Sequence, residues 1–464
     1  MDNKAIIAII AVAVIVVAGV AIAVAINNNN NKGGDSPEPV PPKDFTPEEI
    51  MSGAALKVMG NANKDTVIDK KDVDAIKKMI ADKTNYNDCP IADANNDKVI
   101  DDADVAVVEA IIAGDNTTVN HINYWDSDDD GIMEMHLVST AFPVKSCIIS
   151  GSANTGMTLI LLGVTDRVVG AAYSATSLDK TLYKTTLLDT AKVEKIGTSA
   201  STIPFEDGKI GTSDIIKEKN VTALITDWNR SYIKNWEDFE NAKVDVVRGA
   251  SASSNNEVSE NTFRTYGLLF QADQSRIDSL VELYSSTMTK IKTIAASIAD
   301  ADKVKAVACS STGSVSSKIS DYTELIRLVG GIFGLEDYDA AGSSSVKVVD
   351  HPEIFSYDFD YVLHLRTNPG YELKTAEQLH TLMEEYGEVF TTWDEFEGHS
   401  QYIISAATPI PVRAAMVGCV LYPELYDADW VDQVHKEFAK FFPADVGIDI
   451  DDRVFIYTEE PIDA

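Results

Sequence analysis

Cysteine, histidine and cationic side chains are all scarce in this chain, and each shortage closes a class of function. The four cysteines (Cys89, Cys147, Cys309, Cys419) lie far apart and form no CxxC pair, which argues against structural zinc and thioredoxin-like redox chemistry. Cys147, Cys309 and Cys419 stand inside apolar runs and read as small buried hydrophobes. The seven histidines are scattered, with neither HxH nor HExxH, so a histidine-built transition-metal site has no support. Lys and Arg number 39 against 73 Asp and Glu, a formal net charge of -34. No nucleic-acid partner is expected, because phosphate neutralisation needs clustered cations. Walker GK[ST] and GxSxG are both missing. GSANTG, Gly151 to Gly156, follows a strand and opens a helix. It lacks the central glycine of GxGxxG, and no acidic ribose reader follows at about 20 residues. A dinucleotide enzyme is thus the minority reading, and the chain is read as a non-enzyme.

What is present begins at the amino end. Ala5 to Ile26 is an uncharged run of 22 aliphatic, Ala and Gly residues behind Lys4, long enough to cross a bilayer core. The preceding lysine favours a cytoplasmic amino end and an external remainder. Residues 1–26 are therefore read as a single-pass membrane anchor. The alternative is a signal cleaved near Ala23-Val24-Ala25, with secretion of the rest, but this run exceeds the usual signal core. No cysteine follows to carry a lipid. Residues 27–45, polar and then Pro-rich, read as a flexible tether stiffening into a polyproline spacer.

Two acidic twelve-residue segments follow: NANKDTVIDKKD, Asn61 to Asp72, and DANNDKVIDDAD, Asp93 to Asp104. Each carries oxygen-bearing side chains at positions 1, 3, 5, 9 and 12 and an aliphatic residue at position 8, then enters an apolar-periodic helix. Hard divalent cations need roughly six to eight converging oxygens, which such a loop can supply. Two copies in matching register make a calcium-binding module over residues 46–115 with two sites.

Residues 116–143 contain INYWDSDDDGIMEMHLV, two alternating stretches around Asp130-Gly131, the pattern of a β-hairpin. Asp126, Asp128 and Asp130 imitate a third calcium loop, but its position 12 is Leu137, so an acidic turn is the preferred reading. From residue 144, short β-branched runs (KSCIIS, DRVVGAAY, VTALITDW, KVDVVRG; then VKAVACSS, VKVVD, FDYVLHL, QYIISAA) alternate with helical stretches, predicting parallel α/β layers. Between the two sets, about Gln274 to Ala299, the stripe Ile277, Leu280, Val281, Tyr284, Met288, Ile291, Ile294 and Ile298 has the spacing of one long helix. The expected fold is α/β: a lobe over 144–272, one long helix over 273–300 and a lobe over 301–464. That plan places a ligand cleft at the carboxyl ends of the strands.

The paired loops resemble the duplicated loop-helix of dockerin modules. The resemblance implies that Asn61, Asn63, Asp65, Asp69 and Asp72 hold one calcium ion and Asp93, Asn95, Asp97, Asp101 and Asp104 the other. Aspartate at position 12 fits that family, whereas position 6, often glycine, is Thr66 in one loop and Lys98 in the other. It further implies a cohesin-like partner at positions 10 and 11, here Lys70, Lys71, Asp102 and Ala103. A calcium-stiffened spacer without a partner is the alternative.

Residues 144–464 resemble the extracytoplasmic substrate-binding proteins of ABC importers for siderophores, haem and cobalamin, through DRVVGAAYSA, SDIIKEKNVTALITDW, LIRLVGGIFG and HPEIFSYDFDYVLHL. The implied fold is the class III periplasmic-binding-protein type, whose single linking helix allows modest hinge motion. The implied ligand is a small-molecule metal chelate, and the implied partners are an ABC permease and its ATPase. Asp214 and Glu353 match the carboxylates that dock onto permease arginines. The residues just past strand ends become ligand candidates: Ser152, Tyr173, Trp228, Arg230, Arg248, Ser310, Arg366 and Arg413. Arg forks and aromatic faces suit anionic, flat chelates. Sequons at Asn116, Asn220 and Asn229 agree with external exposure. A cell-surface adhesion or scaffold protein, its α/β region purely structural, is the rival from another class.

Overall fold

Asp69 and Asp101, each in extended backbone, accept a hydrogen bond from the second residue beyond and so start helices Lys70–Asp82 and Asp102–Ala113. Three residues on, Asp72 and Asp104 return the bond to the cap residue's own N–H, completing two capping boxes. The computed structural model describes residues 41–128, 131–172, 193–196, 202–203, 212–230, 232–342, 345–392, 399–443 and 448–459. Residues 44–464 form one compact body, separate from the unit that ends at Lys43. The apolar run Ala5–Ile26 and Tyr173 fall outside the described residues. Among those described, no helix is long and apolar enough to cross a membrane.

Strands β1 (Thr117–Trp125) and β2 (Glu134–Phe142) pair antiparallel, as the alternating pattern predicts. The first lobe's sheet contains β3 (Cys147–Ile149), β4 (Val168–Ala172), β5 (Glu194–Ile196), β6 (Ala223–Asp227) and β7 (Asp245–Gly249). Its order is β5-β4-β3-β6-β7, all parallel. Buried on both faces, these strands read as continuous apolar runs.

The second lobe's sheet is mixed, and here the expectation of purely parallel layers is corrected. Strands β8 (Lys305–Ser311), β10 (Ile332–Phe333), β12 (Tyr361–Arg366) and β13 (Ser400–Ser405) are parallel. Strands β9 (Ser314–Val315), β11 (Val346–Lys347) and β14 (Ile456–Tyr457) run against their neighbours. Gly313, at φ +60, sits between β8 and β9 and permits the tight reversal. VKVVD, expected as a core strand, gives only the two-residue edge β11 and a following helical turn. Edges made of such short strands limit pairing with other chains.

Helix Gln274–Ser297 joins the lobes and buries Ile277, Leu280, Val281, Tyr284, Met288 and Ile291 of the expected stripe, whereas Ile294 is half-buried and Ile298 caps the helix end. At Gly267 a Cβ would lie 2.3 Å from Ile277 Cδ1, so only glycine lets helix Asn256–Leu269 approach this closely. Arg276 donates to the carbonyls of Leu161 in the first lobe and Phe441 in the second. Tyr426 Oη donates to Ile291 O at 3.2 Å. One apolar cluster runs through both lobes and the helix between them.

The segment carrying the two acidic loops is packed on the first lobe. Lys57 N–H donates to Asn261 Oδ1 at 2.7 Å, and Lys57 Nζ pairs with Glu257 at 2.7 Å. Met59 N–H reaches Asn120 O, and Ile122 N–H reaches Lys57 O, which seats the segment along β1. Leu56, Val58, Ile111 and Val119 belong to the apolar cluster of the lobes. The other side of β1 covers β7 through side-chain bonds: Asn123 donates to Val246 O and accepts from Arg248 N–H.

Candidate functional site

The turn after β3 and the end of β6 build one wall of the cleft. Gly151, at φ +109, brings that turn so near β6 that a Cβ would sit 3.0 Å from Asp227 N. Ser152 Oγ then donates to Asp227 Oδ2 at 2.6 Å. Burial pushes the Asp227 carboxyl up to about 6, against the pull of Ser152 and with a further push from Asp321 of the second lobe. The other wall carries Asp321 and Tyr322 at the start of helix Asp321–Leu328, Arg366 at the end of β12, and Arg413 in helix Ile410–Leu421. Tyr322 lies within electrostatic reach of Arg413, Asp321 and Arg366. Carboxyl ends of strands from both lobes therefore converge, as the fold plan requires.

Arg366 is the most informative member of this group. It is 7% exposed. Its Nη1 donates to Ser310 O, and its Cζ stands 3.5 Å from the Tyr386 ring centroid. Nε and Nη2 have no partner. Among the described residues it makes no ion pair with a carboxylate, and burial lowers its pKa. A desolvated cation with open donors is costly unless something anionic completes it. Arg413 differs: Nη2 donates to Asn154 Oδ1 across the cleft at 3.4 Å, to Thr408 O at 3.0 Å and to Ala406 O. It ties one lobe to the other.

The remaining strand-end candidates separate. Ser310 is exposed at the end of β8 and meets Arg366. Trp228 packs in an apolar cluster with Met51, Tyr124 and Ala250, and its carbonyl accepts from Asp126 N–H. Arg230 donates to Ser127 O at 2.6 Å. Arg248 lies beneath the hairpin, its guanidinium 4.7 Å from the Trp125 ring centroid. These three fasten the hairpin to the lobe. Asp214 is half-buried in the first turn of helix Thr212–Lys219, and Glu353 is exposed, accepting from Tyr338 Oη at 2.5 Å. Asp227, Asp321, Tyr322 and Tyr386 were missed. Asp227 ends the ALITD strand, so the strand-end rule applied one residue earlier would have found it.

The two acidic loops share the same hydrogen bonds at positions 3, 5, 7 and 12. Asn63 and Asn95 N–H donate to Oδ1 of Asp72 and Asp104, at 3.2 and 3.1 Å. Asp65 and Asp97 N–H donate to Asn63 and Asn95 Oδ1, at 2.8 and 3.0 Å. Val67 and Val99 N–H donate to Asp65 and Asp97 Oδ1, both at 2.9 Å. Asn61, Asp72, Asp93 and Asp104 are fully buried. Desolvation pushes all three of these carboxyls up, Asp93 to about 6, although backbone N–H donors oppose it. The loops differ at position 1. Asp93 accepts from Asp97 and Lys98 N–H. Asn61 instead donates its amide to Leu56 O and Asp65 O and leaves Oδ1 buried without a partner. Buried carboxylates and an orphaned carbonyl oxygen are a donor set that a hard cation fits. In the hairpin turn, Asp126, Asp128 and Glu134 place carboxylate oxygens within 4.8 Å of one another. Asp126 accepts from Gly131 N–H and Glu134 from Ser127 N–H, bonds that hold an acidic turn. Asp130 lies outside the described residues.

No family model and no curated protein matches this chain. Solved structures do. A TroA-like periplasmic binding protein, FepB, from Veillonella parvula aligns with a TM-score of 0.50 and 13% identity, covering 66% of this chain and 93% of the other. Helicobacter pylori CeuE with Ni(II) bound gives 0.47 and 15%, over 66% and 95%. An ABC transporter solute binding protein from Sulfurospirillum deleyianum gives 0.47 and 15%, over 66% and 92%. The first of these establishes that the chain contains the mixed α/β fold of such a binding protein.

Proposed function

We propose that the chain is an extracytoplasmic solute receptor. It captures an anionic metal chelate of the siderophore, haem or corrinoid kind and passes it to an ABC permease driven by a partner ATPase. The buried, incompletely bonded Arg366 carries this reading: its unpartnered Nε and Nη2 donors, beside the Tyr386 ring, suit an anionic, partly flat ligand. Glu353, exposed, and Asp214, in a helix's first turn, are the proposed contacts with permease arginines. The run Ala5–Ile26 is the proposed anchor. The test is a titration of the protein with ferric siderophores, haem and cobinamide, followed by absorbance and tryptophan fluorescence. Saturable binding that Arg366→Ala weakens at least tenfold is expected. No response across that panel would sink the receptor reading.

The paired loops are proposed to hold two calcium ions, through Asn61, Asn63, Asp65, Asp69 and Asp72 and through Asp93, Asn95, Asp97, Asp101 and Asp104. The unpartnered Asn61 Oδ1 supports this directly. The surface-scaffold alternative draws on a separate observation: Lys70, Lys71, Asp102 and Ala103 are all exposed, leaving positions 10 and 11 open to a cohesin-like partner.

A further inference from the structure

Between the hairpin and the first lobe lies a cavity of about 660 Å³ whose lining includes neither Arg366 nor any residue of the acidic loops. Its aromatic wall is Trp125 of β1 with Trp236, which opens helix Trp236–Asn241. The rings meet edge to face, centroids 5.4 Å apart at 75°. Both indoles are only half-buried, so ring surface is available to an occupant. His136 of β2 flanks Trp125 at 5.6 Å. Two buried donors of the lining, Trp125 Nε1–H and an Arg248 Nη2–H, have no partner. On the rim, the side chains of Glu240 and Lys243 make no hydrogen bond or ion pair among the described residues, although Lys243 N–H donates to Glu240 O at 2.9 Å.

We propose that this cavity is a second ligand site, built for a neutral saccharide. Unpartnered buried donors require acceptor oxygens, and indole surfaces suit the apolar C–H face of a sugar ring. The charges of the lining balance. Glu240 and Asp245 offset Lys243 and Arg248, so neither an anion nor a cation is favoured over a neutral hydroxyl-rich molecule. A few convergent polar groups on an aromatic wall are how small-molecule sites fix orientation. The cleft at Arg366 has a different character, a desolvated cation that makes no ion pair among the described residues, so the two sites select different chemistries.

The test is saturation-transfer NMR on the full chain, with tryptophan fluorescence in parallel. The probes are the methyl glycosides of glucose, mannose and galactose, chitobiose, and indole-3-acetate as a planar anion. Saturable binding of at least one saccharide is expected, weakened at least tenfold by Trp236→Ala and by Glu240→Ala but unchanged by Arg366→Met. Glu240 is exposed, so its substitution leaves folding intact and isolates the contact. The proposal is overturned if no saccharide binds saturably, if both cavity variants bind as the parent does, or if indole-3-acetate alone occupies the site.

Discussion

Replacing Asp227 with asparagine should stabilise the ligand-free protein at neutral pH and lose that advantage in acid. The carboxyl is 9% exposed at the end of β6, and burial lifts it from 3.8 to about 6. A raised acid means that the folded chain holds the proton more tightly than the unfolded chain. Below about pH 4 both states are protonated and Asp227 costs nothing. Between about pH 4 and 6 the cost grows, and above about pH 6 it is fully present. The shift corresponds to roughly 2–3 kcal/mol, an upper limit because the neighbouring Arg248 cation offsets part of it. Asparagine keeps an oxygen for Ser152 Oγ and leaves the backbone carbonyl that accepts from Arg248 in place. Scanning calorimetry should therefore show Tm raised by about 2–6 °C at pH 7.5 and little changed at pH 4. A Tm at pH 7.5 equal to or below the parent's would refute the assignment of a strained, charged carboxylate.

Three further substitutions bear on the sites. Arg366→Met should raise the ligand-free unfolding temperature while reducing chelate affinity at least tenfold, because an unpaired buried cation is removed; a purely structural arginine would lower both. Asn61→Ala should reduce the calcium stoichiometry measured by calorimetry from two to one, and an unchanged stoichiometry would remove the first loop from the metal assignment. Lys98 occupies the left-handed region at φ +68. Lys98→Gly should therefore add up to about 1 kcal/mol to stability in chelator-treated protein, seen as a higher urea midpoint. The lost pair with exposed Asp44 subtracts little.

The elements legible in the sequence were those whose signal is local. The loop register, the hairpin around Gly131, the stripe from Ile277 to Ile291 and most of the buried strands all declare themselves within a few residues. What escaped was set by contacts distant along the chain. Nothing near Lys57 announces a bond to Asn261, and nothing near Trp228 says that the segment around Met51 will cover it. The strand-end rule named Arg366 and Arg248 alike, yet β1 covers the second, while the first lies against Ser310 and Tyr386 with open donors. Antiparallel β9, β11 and β14 were equally hidden, since a two-residue strand has no period to read.

The seam at Lys57 gives the molecule a direction for mechanical load. Tension applied at residue 44 meets the bond from Lys57 N–H to Asn261 of the first lobe before it reaches the first acidic loop. A pulled chain would shed its amino-terminal segment stepwise while the strand ends around Arg366 keep their arrangement. The bonds of Lys57 to Asn261 and Glu257 thus stand as a fuse ahead of the acidic loops.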